Sequence, residues 1–305
     1  MNPQEMNPGS SGKAAGRQQI LNHRRRKNMI ISVASGKGGT GKTTVSTNLA
    51  LSIGSGVQLL DCDVEQPNAH LFVHPVFDRT ESVTTPVPEI DMDKCTLCGK
   101  CGDICEFKAI VVVGETVLPF EELCHSCGGC MAVCPEGAIT EKGRELGILE
   151  KGHCNGVEFI HGKLRVGEAM SPPLIQEVLS YTDPAKLTIV DAPPGTSCPV
   201  IETMKPADFI LLVTEPTPFG LHDLKLAVGA AQILNIPCGL VINRSDMGDE
   251  KVKAYAANEN LPILMEIPFD RRIAEAYSRG DMIVDVMPEW KEKFQELYKK
   301  IKELL

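Results

Sequence analysis

An apolar run from Met29 to Ala34 leads straight into Ser35-Gly36-Lys37-Gly38-Gly39-Thr40-Gly41-Lys42-Thr43-Thr44, and a run with Val45, Leu49 and Ile53 at helical spacing follows. The order predicts a buried strand, a glycine loop and the start of a helix, the context that gives Gly36-x4-Gly41-Lys42-Thr43 its meaning. Glycines let backbone N–H groups converge on phosphate oxygens, and the helix N-terminus adds its dipole. In such a loop Lys42 reaches the β- and γ-phosphates and the Thr43 hydroxyl ligates Mg²⁺. The alternative is a glycine-rich turn that binds nothing. Strand, spacing and the Lys-Thr pair together argue against it.

Two further strands end in carboxylates. Val57 to Leu60 runs into Asp61-Cys62-Asp63, and the unbroken run Leu187 to Val190 runs into Asp191-Ala192-Pro193-Pro194-Gly195. Carboxylates at the C-terminal ends of strands beside a phosphate loop sit where Mg²⁺ and an attacking water are handled. For Asp61 a second reading competes, a strand-end carboxylate satisfied by backbone N–H groups. Further apolar runs, Phe209–Val213, Cys238–Ile242 and Ile263–Ile267, complete an α/β pattern, expected as a doubly wound, mostly parallel sheet. Val157 to Val166 is expected as a hairpin turning at Gly162.

The loop carries a second lysine, Lys37. With it, Lys37-Gly38-Gly39-Thr40-Gly41-Lys42-Thr43 resembles the deviant Walker A of the MinD/ParA/Mrp/nitrogenase-iron-protein superfamily. The resemblance implies a P-loop ATPase with nucleotide held by residues 36–44. It also implies a nucleotide-sandwich homodimer in which Lys37 crosses to the partner's nucleotide, much as an arginine finger does. On the same resemblance Asp63 orients or polarises the water, and Asp191 sits behind Mg²⁺, usually through water. Asn243, with Arg244 beside it, would contact adenine, and Pro268 would stack on the base edge. Asn243-Arg244-Ser245-Asp246 also resembles the guanine-reading Asn-Lys-x-Asp of related GTPases, with Arg for Lys. The deviant loop favours ATP over GTP.

The chain has 12 cysteines. Eight fall in two arrays, Cys95-x2-Cys98-x2-Cys101-x3-Cys105 and Cys124-x2-Cys127-x2-Cys130-x3-Cys134-Pro135, with a small hairpin expected at Ile110–Leu118 between them. Thiolates suit zinc and iron–sulfur clusters alike, and two fourfold arrays at this spacing favour clusters. Residues 85–150 resemble a two-cluster bacterial ferredoxin, a small α+β domain. That resemblance implies that the fourth cysteine of each run serves the other cluster. Cys95, Cys98, Cys101 and Cys134 would then hold one [4Fe–4S], and Cys124, Cys127, Cys130 and Cys105 the other. Glu106 departs from the pattern, standing where proline usually follows Cys105. The expected organisation is a basic disordered extension over 1–28, an ATPase domain in two parts (29–84 and 151–305), and the cluster domain inserted between them.

Charge limits the partners. Residues 1–28 carry +5 against a total of −9, so the remainder carries −14. An acidic body argues against nucleic acid as a partner. No apolar run approaches the roughly 20 residues that span a bilayer. No apolar segment follows the basic N-terminal residues, so no signal peptide is expected. The thiol arrays fit a reducing, cytoplasmic setting. Trp290, Phe294, Leu297, Ile301 and Leu304 stand at helical spacing. Because Glu289, Glu292, Glu296 and Glu303 offset the lysines of that run, packing on the sheet is expected rather than membrane binding.

Three functional classes remain. One is ATP-gated electron delivery to a partner metalloprotein or to its cofactor during assembly. A second is an iron–sulfur scaffold or carrier. Four-thiolate clusters make poor cargo, and no further Cys-x-x-Cys lies in 135–305 to make a labile site. The third is a positioning ATPase in which the clusters sense redox state.

Overall fold

The computed structural model describes residues 29–305; the extension expected over 1–28 lies outside them. The apolar runs become strands buried on both faces: β1 (Ile30–Ala34), β2 (Val57–Asp61), β8 (Leu187–Asp191) and β9 (Phe209–Thr214). Side chains alternate across a strand, so each strand feeds two cores. Ile31, Val33, Leu59, Ile189 and Leu211 face one core. Ile30, Ala34, Leu60, Val190 and Leu212 face the other.

These strands lie in a nine-stranded sheet of order β11-β10-β9-β1-β8-β2-β7-β6-β3. The other members are β3 (Val76–Ile90), β6 (Ile139–Cys154), β7 (Val157–Leu164), β10 (Cys238–Asn243) and β11 (Ile263–Ile267). β7-β2-β8-β1-β9-β10-β11 pair in parallel, whereas β6 runs antiparallel to both its neighbours, β7 and β3. On one face lie α1 (Lys42–Ile53) and α11 (Glu289–Glu303). On the other lie α5 (Pro172–Ser180), α6 (Cys198–Met204), α7 (Pro218–Leu234) and α8 (Lys251–Asn258). The short α2 (His70–Val73) follows β2, and α9 (Arg271–Arg279) and α10 (Ile283–Val286) precede α11.

The hairpin expected over 157–166 is not formed. β7 is a single parallel strand beside β2, and the hairpin is β6–β7, turned by Asn155 (φ 48°) and Gly156 (φ 82°). Two positive φ values in an Asn-Gly pair make the turn that matches strand twist. Gly162 sits within β7, where a Cβ would stand 2.9 Å from Val64 and 3.0 Å from Leu174. Its role is close packing under α5, not chain reversal.

β3 and β6 outrun the sheet. β6 pairs with β7 only from Gly147 onward, while Ile139 to Glu145 pair with β3 alone. Seven residues at strand rise make an arm of roughly 23 Å. It projects past the edge at which β1, β2 and β8 end. The junctions expected at 84/85 and 150/151 fall inside these two strands. Pro86 and Pro88 are tolerated because β3 is the outermost strand. Residues 91–138 close the arm. They comprise α3 (Lys100–Ile104), the β4–β5 hairpin (Ile110–Val113, Thr116–Pro119) and α4 (Gly129–Ala132). Their small core, around Cys101, Ile110, Val117 and Ile139, is separate from the two large ones.

Helix α11 buries Trp290, Phe294, Leu297 and Ile301 and leaves Leu304 exposed beyond its end. It docks on α1 and β11: Gln295 Nε2 donates to Ser52 O at 2.9 Å and Lys300 Nζ to Leu264 O at 2.9 Å. No described helix is long and apolar enough to cross a membrane. Phe294→Ala is expected to destabilise the fold by about 3–5 kcal/mol, the cost of deleting a fully buried ring, read as a lowered urea midpoint.

Candidate functional site: a phosphate loop and two thiol cavities

The loop after β1 and the start of α1 form the floor of a large cleft. Gly38, Gly39, Gly41, Lys42, Thr43, Thr44, Asp63, Asn243, Arg244 and Pro268 all line it. Gly36, Lys37, Thr40 and Asp191 lie outside the lining. Gly36 packs beneath, where a Cβ would stand 2.3 Å from the Asp223 carbonyl of α7. Gly41 is left-handed (φ 98°) and a Cβ there would stand 2.6 Å from Asn243 Nδ2. Lys42 and Thr43 are buried at 6% and 7% exposure, and the first turn of α1 holds no acidic residue. The helix dipole therefore faces the cleft with no acidic side chain in its first turn to offset it.

The three carboxylates differ in what holds them. Asp61 accepts from the backbone N–H groups of Asp63 (3.1 Å), Asn68 (3.2 Å) and Ala69 (3.0 Å), as the structural reading anticipates. Burial and the neighbouring Asp191 push its carboxyl well up. Asp191 is fully buried, and neither oxygen receives a hydrogen bond of normal geometry. Burial pushes it up and the Lys42 ammonium draws it back, with the Thr43 and Ser46 hydroxyls beside it. An orphaned buried carboxylate next to Thr43 suits a hydrated cation. Asp63 is half-buried at the cleft, pushed up to about 6 by burial and by Asp191, against the pull of Lys42.

Asn243 has a role that its sequence context does not reveal. Its Nδ2 donates to Thr40 O (2.9 Å) and its Oδ1 accepts from Arg244 N (3.0 Å), so it braces the phosphate loop. One Nδ2 hydrogen is left for a ligand. Arg244 pairs with Glu215 (2.8 Å). Asp246, which a guanine-reading motif would aim at the base, accepts from Phe269 N at 2.6 Å and ties down the β11–α9 loop. That loop and α9 add Phe269, Ile273 and Tyr277 to the cleft. Sequence reasoning missed these three, and the strong amphipathicity of Arg271–Arg279 was the signal available. Lys37 is exposed, with Nζ 5.8 Å from the Phe219 ring centroid.

The eight array cysteines part between two cavities. Cys105, Cys124, Cys127 and Cys130 line one. Cys95, Cys98, Cys101 and Cys134 line another. Among the described residues no group of three or more His, Cys, Asp or Glu side chains converges to hold a metal ion. The two halves repeat each other. Leu97 (φ 56°) and Ser126 (φ 53°) precede Cys98 and Cys127, while Gly99 and Gly128 follow them with positive φ. Lys108 (φ 53°) and Gly137 (φ 56°) stand three residues after Cys105 and Cys134. These turns aim N–H groups at sulfur: Ala109 to Cys105 (3.3 Å), Ala138 to Cys134 (3.3 Å) and Ser126 to Cys124 (3.4 Å). Left-handed backbone at non-glycine residues costs about 1–2 kcal/mol each. Four-thiol cavities with N–H groups on the sulfurs fit iron–sulfur clusters.

Similarity to known proteins agrees with the geometry of the phosphate loop. The model of the CobQ/CobB/MinD/ParA nucleotide binding domain matches residues 31–283. The chain belongs to that family. It is a P-loop ATPase of the MinD/ParA type. A relative within reach is an uncharacterized protein of Methanocaldococcus jannaschii, 35% identical over 260 residues, covering 83% of this chain and 90% of the relative. An iron-sulfur cluster carrier protein of Aquifex aeolicus is 28% identical over 281 residues, 85% of this chain and 63% of its own length. Among solved structures, the septum site-determining protein MinD of Pyrococcus horikoshii, complexed with Mg-ADP, superposes with a TM-score of 0.57. Identity is 22%, with 91% of this chain and 97% of that chain covered, so the likeness is one of fold.

Two expectations follow from the family site and its surroundings. Gly41→Ala abolishes nucleotide binding measured with a fluorescent ATP analogue, because strain and the Asn243 contact act together. Gly39→Ala, whose Cβ meets open space, costs only the left-handed strain of about 1 kcal/mol. His161 on β7, paired in register with Asp61, is held neutral: burial lowers it to about 4, although its Nε2 lies 2.9 Å from Glu150 Oε2. Between its unfolded value near 6.5 and about 4 the unfolded chain binds the extra proton, so stability falls as pH falls through that window. The loss amounts to about 3 kcal/mol at its limit. Urea unfolding should show a shallower pH slope in His161→Gln.

Proposed function

We propose that this ATPase couples nucleotide state to electron delivery by two [4Fe–4S] clusters, serving a partner metalloprotein or the assembly of its cofactor. The observation that carries the reading is the division of eight thiols between two four-thiol cavities on an arm continuous with the ATPase sheet. Cys95, Cys98, Cys101 and Cys134 would hold one cluster, and Cys124, Cys127, Cys130 and Cys105 the other, within a ferredoxin-like domain. When bound, the clusters supply one-electron transfer at potentials set by charge, solvent and hydrogen bonds to sulfur.

At the ATPase site, backbone N–H groups of residues 36–44 cradle the phosphates and Lys42 neutralises their charge. Thr43 would ligate Mg²⁺, with Asp191 behind it through water. Asp63 stands where it can orient or polarise the attacking water. Lys37, exposed beside Phe219, would reach the nucleotide of a second copy, so catalysis would belong to a homodimer. Pro268, Phe269 and Tyr277 form an apolar seat for the base, and the engagement of Asp246 with Phe269 favours adenine over guanine. No nucleic acid or membrane is needed.

A carrier role is favoured by one observation, the likeness to an iron-sulfur cluster carrier protein. Anaerobic reconstitution separates the two. About eight irons per chain are expected, with reversible reduction by dithionite and ATP-dependent electron transfer to a cytochrome used as acceptor. Iron passing from these sites to an apo-ferredoxin during ATP turnover would overturn electron delivery in favour of carriage. Lys37→Ala should lower hydrolysis on the order of 1000-fold, and Asp63→Asn on the order of 100-fold. Both variants should retain nucleotide and iron.

A further inference from the structure

We propose that a relay of side-chain pairs, Glu65–Ser171, Glu168–Arg144 and Thr85–Ser126, joins the nucleotide loop to the second cysteine set, so that nucleotide state acts on that cluster alone; this rests on the electron-delivery reading. The relay starts two residues from Asp63. Ser171 Oγ donates to Glu65 Oε1 at 2.9 Å. Ser171 is buried and stands at the N-cap of α5, yet its hydroxyl makes no cap hydrogen bond. A serine that forgoes its cap gives up about 1 kcal/mol, and here the hydroxyl is spent on the loop after β2.

Three residues before Ser171, Glu168 meets Arg144 of β6. Arg144 Nη2 donates to Glu168 Oε1 at 3.0 Å and Nη1 to Oε2, with side chains 6% and 0% exposed. Separating such a pair leaves a buried charge at a cost of several kcal/mol. A displacement of the 165–171 loop therefore moves Arg144 with it. Arg144 lies directly opposite Thr85 of β3, so the two side chains share a face of the arm. The carboxylates of Glu121 and Glu122, just ahead of Cys124, also act on Arg144.

Thr85 completes the connection. Its Oγ1 is 2.8 Å from Ser126 Oγ, which itself donates to Pro86 O at 2.7 Å, so Thr85 is the donor. Ser126 is held left-handed (φ 53°) between Cys124 and Cys127, and its N–H points at Cys124 Sγ (3.4 Å). A hydrogen bond to sulfur is one of the levers on cluster potential. The cavities differ in what they touch. The second set is walled by Pro86, Val87, Pro88 and Glu141, nearer the sheet. The first meets the arm at Ile90 and Ile139, apolar side chains at its far end.

The test is an anaerobic redox titration followed by EPR, without nucleotide, with ADP and with a non-hydrolysable ATP analogue. Cys127→Ser assigns the second cluster's signal. The ATP analogue should move the second cluster's one-electron equilibrium constant at least about threefold relative to ADP, about 28 mV at 59 mV per decade, and leave the first unchanged. Thr85→Val, Glu168→Gln and Ser171→Ala should each remove that shift while ATP hydrolysis persists. Glu168→Gln leaves Arg144 without its charge partner. If that variant does not fold, Thr85→Val and Ser171→Ala decide the matter. A full shift in both, or equal shifts in both clusters, overturns the relay. So does a wild-type protein in which neither potential responds; if ATP still controls reduction of the cytochrome there, electron delivery stands without the relay.

Discussion

Everything in this molecule depends on strands that run the same way. A parallel sheet delivers the C-terminal end of every strand to one edge, so the loops after β1, β2, β8, β10 and β11 converge there whatever their separation in sequence. The phosphate loop, the Asp61–Asp63 turn, Asp191 and the bracing Asn243 meet for that reason alone. The arm uses the same edge. β6 runs against its neighbours, and the half of it that pairs with β3 alone extends past the line where the parallel strands stop. The thiol cavities are therefore carried on the side of the sheet that handles nucleotide, yet on strands four and five positions away from β1.

Buried charge is managed differently at the two ends. Around the phosphate loop the groups are left incomplete: Asp191 has no hydrogen-bond partner of normal geometry, Lys42 faces the cleft, and Asp63 is pushed up by its surroundings. Under the arm the opposite holds, with Arg144 and Glu168 matched in bidentate fashion and closed to solvent. An incomplete site awaits a charged ligand, whereas a completed pair transmits position because it cannot be opened cheaply. Local preferences yield where these sites are built, at the uncapped Ser171 and at the left-handed Leu97, Lys108 and Ser126. Such conflicts between local and global preference cluster at functional sites.

Much of this was legible in the chain. The strand–loop–helix at 29–44, the carboxylates at strand ends and the amphipathic C-terminal run each carry a local signal, and each stands where that signal puts it. The eight array cysteines line two separate cavities, four to each. Other features were not legible. Val157–Val166 looked like a hairpin because Gly162 suggested a turn, when the glycine was needed for packing beneath Val64 and Leu174. The strands β3 and β6 lack clean alternation, since β3 is largely exposed along the sheet edge from Val76 to Thr84 and β6 is exposed on the arm from Thr140 to Gly143.

Sequence by itself determined the chemistry available: a phosphate loop with two lysines, carboxylates at strand ends, and thiols at cluster spacing. Those depend on residues a few positions apart, where the backbone's local preferences govern. Tertiary structure decided what that chemistry can reach. Asn243 braces Thr40 from 203 positions away, Asp246 holds the loop after β11 through Phe269 N, and Arg144 finds Glu168 across the root of the arm. No local pattern encodes those pairings, because strand order and register, set by which apolar faces share a core, choose the partners.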